Sequence, residues 1–194
     1  MKKYITFIVI VVLMASVVIY SYYKTSIDNK KENEVSAKSD SEVEIIINKD
    51  LENSYPATPR EVVDFYSRIL SCYYGEKCSD AQLEKMVEQS RKLFDEELLK
   101  ANPIDTYMVN LKNDISEYKQ NKKTISTYVI EGSADIEYKT FQSHYYAKVD
   151  TVYYVKGKNG TERTFETYTL RKDSNGKWKI LYWELTDTNE ENVQ

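Results

Sequence analysis

The longest apolar run of the chain lies at its beginning. Residues 4–23, YITFIVIVVLMASVVIYSYY, contain no charged side chain, and twenty helical residues span roughly 30 Å of hydrocarbon. Ala15 and Ser16 are poor candidates for a signal-peptide cleavage site because the apolar run continues beyond them. The pattern therefore predicts a retained single-pass transmembrane anchor over residues 1–23, which makes the cell membrane the first expected partner.

Lysines flank this anchor on both sides and nearly balance each other. Lys2 and Lys3 precede it, and Lys24, Lys30 and Lys31 follow it, while acidic residues contribute little to the positive-inside rule. Short N-terminal tails seldom cross a membrane. We therefore expect the N-terminus in the cytoplasm and the folded body in the extracytoplasmic space.

Polar and charged residues dominate the next stretch, 24–57. A composition so poor in large apolar side chains cannot offset the entropy of an ordered chain, which predicts a flexible polar linker. The exception is EVEIIINKDL, Glu42 to Leu51, where Ile45, Ile46 and Ile47 are typical of a short strand. This segment either packs on the body, for example as an added edge strand, or docks on a partner.

A helical repeat of apolar residues begins after Thr58. Thr58 and Glu61 have the spacing of a capping box, and Pro59 occupies the first helical position, where its missing N–H costs nothing. Apolar residues then recur at helical spacing to about Tyr74. The pattern predicts an amphipathic first helix with one face in a core.

Two further helices are predicted before any strand. A second capping box, Ser79 with Gln82, opens a helix whose apolar stripe continues until Asn102. The third helix begins at Pro103 and ends at about Asn121.

After Thr124 the apolar period changes from helical spacing to two. Five runs follow, TISTYVIE, DIEYKTF, HYYAKVDTVYYVK, ERTFETYTLRK and KWKILYWEL, and the last three are joined by GKNG and DSNG turns. The pattern predicts an α+β domain over residues 58–188, with three helices packed on a curved antiparallel sheet of four to five strands. Residues 189–194 are predicted to form a disordered tail.

Strand alternation predicts which faces are buried. In the third run, alternate residues from Tyr145 to Val155 carry no charge and are expected to face the core. The two faces of the last run are Lys179, Leu181, Trp183 and Leu185 on one side and Trp178, Ile180, Tyr182 and Glu184 on the other. Both are apolar enough that a helix, a protein partner or a second copy in a homodimer is expected to cover one of them.

Composition excludes several classes of function. The chain has a net charge of -4 and intersperses its basic residues with acids, so no nucleic-acid-binding surface is expected. Two cysteines and one histidine are too few for a closed zinc site, and we expect no metal or other cofactor. Tyrosine is heavily used, with 18 residues, whereas glycine and proline are scarce, which argues against a collagen-like or low-complexity protein.

Other candidate residues give no catalytic arrangement. His144, the single histidine, begins a predicted strand on its charged face. Asp114, Asp135, Asp150 and Glu166 lie on predicted solvent faces or at the ends of elements, without a spacing that pairs any two of them. We interpret all five as surface groups and assign no catalytic residue.

Four tyrosines are candidates for the wall of a ligand cavity: Tyr66, Tyr107, Tyr153 and Tyr168. Their rings would supply apolar walls and their hydroxyls polar tips. The alternative is that they are core residues whose hydroxyls are hydrogen-bonded internally.

Cys72 and Cys78 flank the end of the first helix and the start of the second. An extracytoplasmic body permits a disulfide between them if the turn brings their Cα atoms within about 7 Å. Two thiols are the alternative.

Three blocks of sequence carry a family resemblance. PATPREVVDFYSRIL, RKLFDEELL and LRKDSNGKWKILYWEL resemble the recurring blocks of an uncharacterised family of small, membrane-anchored bacterial proteins. The order of elements, helices followed by a sheet with a Trp-rich last strand, is similar to nuclear-transport-factor-two-like domains, also called the SnoaL-like or cone fold. That superfamily includes isomerases and dehydratases of small hydrophobic substrates as well as inert binding and assembly domains, so the resemblance does not choose an activity.

The sequence as a whole favours a non-catalytic module. We expect a membrane-tethered, extracytoplasmic binding or protein-interaction domain. The alternative is a small-molecule-binding protein or an isomerase or dehydratase type of enzyme that uses the cone cavity. An open cavity that holds an ionisable side chain with a shifted pKa would favour the alternative.

The predicted orientation can be tested by protease protection. Protease added to intact cells is expected to degrade the body, because the body is predicted to lie outside the membrane. A body that resists protease in intact cells and is degraded only after lysis would reverse the assignment.

Overall fold

The computed structural model describes residues 41–75 and 77–186. The predicted anchor, residues 1–23, and the predicted tail, residues 189–194, lie outside the described residues. Within the described part of the chain, no helix combines the length and apolarity that crossing a membrane requires.

Helices precede strands along the described chain, as predicted. The helices are α1 (Glu42–Ile47), α2 (Pro59–Gly75), α3 (Asp80–Lys92), α4 (Glu96–Ala101) and α5 (Ile104–Gln120). The strands are β1 (Thr124–Ile130), β2 (Glu137–Phe141), β3 (His144–Gly157), β4 (Gly160–Lys172) and β5 (Trp178–Leu185). The fold class is α+β, with five strands in one antiparallel sheet.

Both predicted capping boxes are confirmed. The backbone N–H of Glu61 donates to Thr58 Oγ1 at 3.2 Å, and the backbone N–H of Thr58 donates to the Glu61 carboxylate at 3.1 Å. The box of Ser79 and Gln82 is likewise reciprocal at the start of α3. These contacts satisfy N–H groups that have no partner within the helix, so α2 and α3 begin where the sequence predicts.

The predicted strand around Ile46 is wrong, because this segment is the helix α1. Ser41 caps it by accepting a hydrogen bond from the backbone of Glu44, and Val43 and Ile46, three residues apart, are buried together. The amide of Gln89 donates to the carbonyls of the segment that follows, at residues 47 and 49. Residues 41–57 of the predicted linker 24–57 are therefore folded onto the body, so the body includes residues that precede Thr58.

The second predicted helix is interrupted at Leu93 to Asp95. Leu93 and Asp95 leave the helical path to pair with the edge strand β5, where the Ile180 N–H donates to Leu93 O and the Asp95 N–H donates to Ile180 O, both at 2.8 Å. The Asp95 side chain then caps α4 through the Glu97 N–H. Arg171 binds the same carboxylate through two hydrogen bonds, of 2.6 and 3.0 Å. The apolar repeat continues through this break, so only the contact with β5 reveals it.

Strand β3 organises the sheet. It pairs along its length with β4, while its other edge pairs first with β2 and then with β1. Of its predicted inner residues, those from Ala147 to Val155 are buried, and only Tyr145, at the end of the strand, is exposed. The GKNG hairpin is confirmed by the pairing of Gly157 with Gly160.

The predicted faces of the last strand are partly wrong because β5 contains a bulge. Tyr168 pairs with Trp183, whereas Leu170 pairs with Ile180, so Leu181 is an extra residue between the two pairs. Tyr168 and Leu170 share a face of β4. Trp183 and Ile180 therefore share the inner face, although simple alternation places them on opposite sides.

Helix α1 provides a test of where the body begins. Replacing the fully buried Ile46 with alanine is expected to lower the free energy of unfolding by about 2–5 kcal/mol, since it removes core packing and leaves a cavity. The matched control is Ile45→Ala in the same helix, whose side chain is 44% exposed and should cost within about 0.5 kcal/mol. Urea unfolding of the full-length protein, followed by tryptophan fluorescence, measures both. Equal effects of the two substitutions would contradict the packing of α1 on the body.

Candidate functional site: a tyrosine-lined cavity

A cavity of about 310 Å³ lies between the helices α2 and α5 and the inner face of the sheet. Six aromatic side chains contribute to its wall: Tyr66, Tyr74, Tyr107, Tyr118, Tyr153 and Trp183. We call it the tyrosine cavity. Its deepest lining residues are buried, whereas Asn110 and Asp114 on α5 and Trp183 on β5 are exposed, so the mouth lies between α5 and β5.

The structure brings the four candidate tyrosines together. Tyr66, Tyr107 and Tyr153 line the cavity, and Tyr168 lies directly behind Tyr153, with their hydroxyls 2.9 Å apart. Tyr66 also packs edge-on against Tyr168, with ring centroids 5.9 Å apart. Binding of a ligand at these residues stays a prediction.

A chain of hydrogen bonds runs from α2 into the cavity. The Ser67 hydroxyl lies 2.6 Å from the Tyr153 hydroxyl, which lies 2.9 Å from that of Tyr168. Tyr168 in turn donates to Glu166 Oε2 at 2.6 Å. An ionised carboxylate only accepts, so each hydroxyl must donate in the direction of Glu166. The chain therefore ends on the carboxylate of Glu166.

Glu166 corrects the interpretation drawn from the sequence. It is not on a solvent face: it is half-buried on the inner face of β4, opposite Thr151, and it lines the cavity. Burial raises the pKa of its carboxyl, and the hydrogen bond from Tyr168 offsets part of that rise. The alternation that carries Tyr168 and Leu170 inward also carries Glu166 inward. The alternation of inward and outward residues along β4 was the feature of the sequence that could have placed Glu166 on the inner face.

A second group of hydroxyls lies between α2 and α3. Tyr73 donates to Ser90 Oγ at 3.3 Å, and Ser90 donates to the Val87 carbonyl at 2.9 Å. Burial raises the pKa of Tyr66, Tyr73 and Tyr107 above that of free tyrosine. These hydroxyls therefore stay protonated at neutral pH, and the charge of the site comes from its carboxylates.

The other singled-out acids and the histidine lie at the surface. Asp135, Asp150 and His144 are exposed, in agreement with the prediction. Asp114 is also exposed, but it faces the mouth of the cavity from α5. Over residues 41–75 and 77–186, no cluster of three His, Cys, Asp or Glu side chains has an arrangement that could hold a metal ion.

The two cysteines lie on either side of the α2–α3 connection. Cys72 is buried on the core side of α2, and Cys78 is half-buried just before the capping residue Ser79. The disulfide between them stays a prediction.

Comparison with known proteins identifies a family. The model described as "Domain of unknown function (DUF6715)" matches residues 1–183. The chain belongs to this family. No curated protein matches it. The prediction of an uncharacterised family is confirmed, and the function of this DUF6715 protein has to be argued from its cavity.

The inward carboxylate predicts a pH-dependent stability. Because the pKa of Glu166 is higher in the folded protein than its ordinary value near 4.5, the unfolded chain loses this proton first as pH rises. The stabilisation that the protonated Glu166 gives to the folded state is thus fully present below the ordinary pKa near 4.5. It is lost as pH rises through the raised pKa of the folded protein. Glu166→Gln retains an acceptor for Tyr168 and removes the charge. It is expected to raise the unfolding temperature by a few degrees at pH 7 and by almost nothing at pH 4.

Thermal unfolding of the full-length protein at the two pH values measures this difference. The control is Glu184→Gln on β5, where the glutamate is exposed and the substitution should leave the unfolding temperature unchanged at both pH values. A stabilisation by Glu166→Gln that is equal at pH 4 and pH 7 would contradict a buried charge as its cause.

Proposed function

We propose that this protein is a membrane-tethered, extracytoplasmic binding module that takes a small organic ligand into the tyrosine cavity. The observation that carries the proposal is the cavity itself. It reaches from the mouth between α5 and β5 down to the buried Tyr66 and Tyr153. A core that served stability alone would be filled with side chains at this depth.

The size and the wall of the cavity support a small ligand. Its volume of about 310 Å³ lies at the lower end of the range of small-molecule sites. The lining combines apolar groups with a few polar ones, among them Asn102, Asn110 and Thr164. That combination is typical of sites in which apolar surface gives affinity and a few polar groups give orientation.

Two further parts of the proposal rest on the sequence. The order of helices and strands is similar to that of the SnoaL-like domains, so we propose that the body is a cone-type domain. The uncharged run at residues 4–23 supports the membrane tether and, with the short N-terminal tail, the extracytoplasmic position of the body. We assign no reaction, because the hydrogen-bonded chain behind Glu166 explains the inward carboxylate without one.

Filling the cavity tests the proposed function. Thr164→Phe places a ring at a half-buried lining position of β4, whereas Thr161→Phe adds the same ring at an exposed position of that strand. A library of neutral, anionic and cationic fragments is screened by thermal shift against the full-length protein and both variants. Some fragments are expected to stabilise the unaltered protein and Thr161→Phe but not Thr164→Phe, since only the latter occupies the cavity.

Each variant must first show a cooperative unfolding transition, which establishes that it is folded. The proposed function is wrong if no fragment stabilises the unaltered protein. It is also wrong if the fragments stabilise Thr164→Phe equally.

A further inference from the structure

The tyrosine cavity is acidic and contains no basic group of its own. Glu166 lies inside it and Asp114 at its mouth, and among the described residues no lysine or arginine contributes to its lining. Both carboxylates lie near the stacked pair Tyr74 and Tyr118, whose ring centroids are 4.2 Å apart. Burial is the main cause that raises the pKa values of these two hydroxyls, and the charges of Asp114 and Glu166 add to the rise. The nearby charge of Lys123 offsets part of the rise at Tyr118.

The protein donates a hydrogen bond to only one of the two Glu166 carboxylate oxygens among the described residues. Its Oε2 accepts the hydrogen bond from Tyr168, and no donor from the described residues reaches its Oε1. Oε1 is also not among the buried polar atoms of the described residues that lack a partner. The atom is therefore accessible. Because Glu166 lines the cavity, its carboxylate can accept a hydrogen bond from an occupant.

Two basic side chains that lie near the cavity wall, Lys123 and Arg91, have partners outside the cavity. The Lys123 ammonium pairs with Glu162 at 3.1 Å. The Arg91 guanidinium donates to the Asn102 carbonyl at 2.8 Å and lies 5.7 Å from the centre of the Tyr107 ring. Neither residue lines the cavity. The negative charge inside it is left for a ligand to balance.

We propose that the ligand of the tyrosine cavity is a small organic ammonium ion. This inference rests on the proposed function, since it names the chemical class of the ligand for the same site. Burial deprives the Glu166 carboxylate of hydration energy. A cation near Oε1 offsets this loss through Coulomb attraction. The faces of tyrosine and tryptophan rings attract cations through their quadrupoles, and aromatic walls beside a carboxylate are suited to alkylated ammonium groups.

Other ligand chemistries fit the wall less well. An anion would meet Asp114 at the mouth and Glu166 inside, and among the described residues no lysine or arginine in the lining would contact it. A neutral ligand would gain the aromatic contacts but leave the charge of Glu166 unbalanced. We therefore expect this cavity to select its ligands by charge more than by size.

The experiment compares ligands that differ only in charge. Choline is titrated into the full-length protein beside its uncharged isostere, in which a quaternary carbon replaces the nitrogen, and butylammonium is titrated beside butanol. Isothermal titration calorimetry gives the affinities. At least one ammonium ion is expected to bind about tenfold or more tightly than its neutral counterpart, the ratio that a partly desolvated cation–π contact and Coulomb attraction to the Glu166 carboxylate provide.

Three substitutions locate the effect. Glu166→Gln is expected to weaken binding of the ammonium ion about tenfold or more, because it removes the charge beside the site. Asp114→Asn, at the exposed mouth, should weaken it only about two- to threefold. The control Glu117→Gln changes an exposed carboxylate on the same helix that does not line the cavity, and it should leave the affinity unchanged.

The possible failures of the two proposals are distinguishable. Equal binding of charged and neutral members of each pair would overturn the ammonium inference and leave the proposed function intact. The same conclusion follows if neither ammonium ion binds while other fragments of the screen occupy the cavity. If no fragment of any charge binds, both proposals fall. The comparison of isosteres uses the unaltered protein, so it holds even if a variant does not fold.

Discussion

A buried tyrosine hydroxyl has to be hydrogen-bonded, and this requirement organises the centre of the DUF6715 body. Tyr153 and Tyr168 are both buried, and their hydroxyls are satisfied in one chain from Ser67 to Glu166. Loss of the final acceptor would leave the Tyr168 hydroxyl with Tyr153 as its remaining partner and one buried O–H of the chain without an acceptor, at a cost of about 1–3 kcal/mol. The inward position of Glu166 therefore has a structural reason, and the cavity is built around it.

The aromatic wall next to this chain depends on the edge strand β5. The pairing of Leu93 and Asp95 with Ile180 ends α3 and brings Phe94 to the sheet. The bulge at Leu181 turns Trp183 to the same face. The rings of Phe94 and Trp183 consequently meet Tyr66, with centroids 5.5 and 5.8 Å away. An interruption in a helix and an irregularity in a strand thus combine to shape one side of the site.

A carboxylate in a partly buried cavity opposes stability, since its charged form is desolvated. Structures that retain such a group commonly do so at functional sites. Here the hydroxyl chain accounts for the position of Glu166 but leaves its charge unbalanced among the described residues. Glu166 therefore has two roles in this proposal. It accepts the hydrogen bond of Tyr168 in the core, and its charge attracts the ligand. Contact of the body with a protein partner or a second copy stays a prediction.

The sequence by itself determined the features that depend on neighbouring residues. The capping boxes at Thr58 and Ser79, the long helices, the five strands and their tight turns were all predictable, because each arises from interactions within a few residues. The inward position of Tyr66, Tyr107, Tyr153 and Tyr168 also followed from their spacing, which left open whether they fill the core or line a cavity. Tertiary structure alone decided the break before Asp95, the inward turn of Trp183 and the open side of Glu166. Each of these depends on partners far away in the chain, whose pairing energy outweighs local propensity and is not visible in any short pattern.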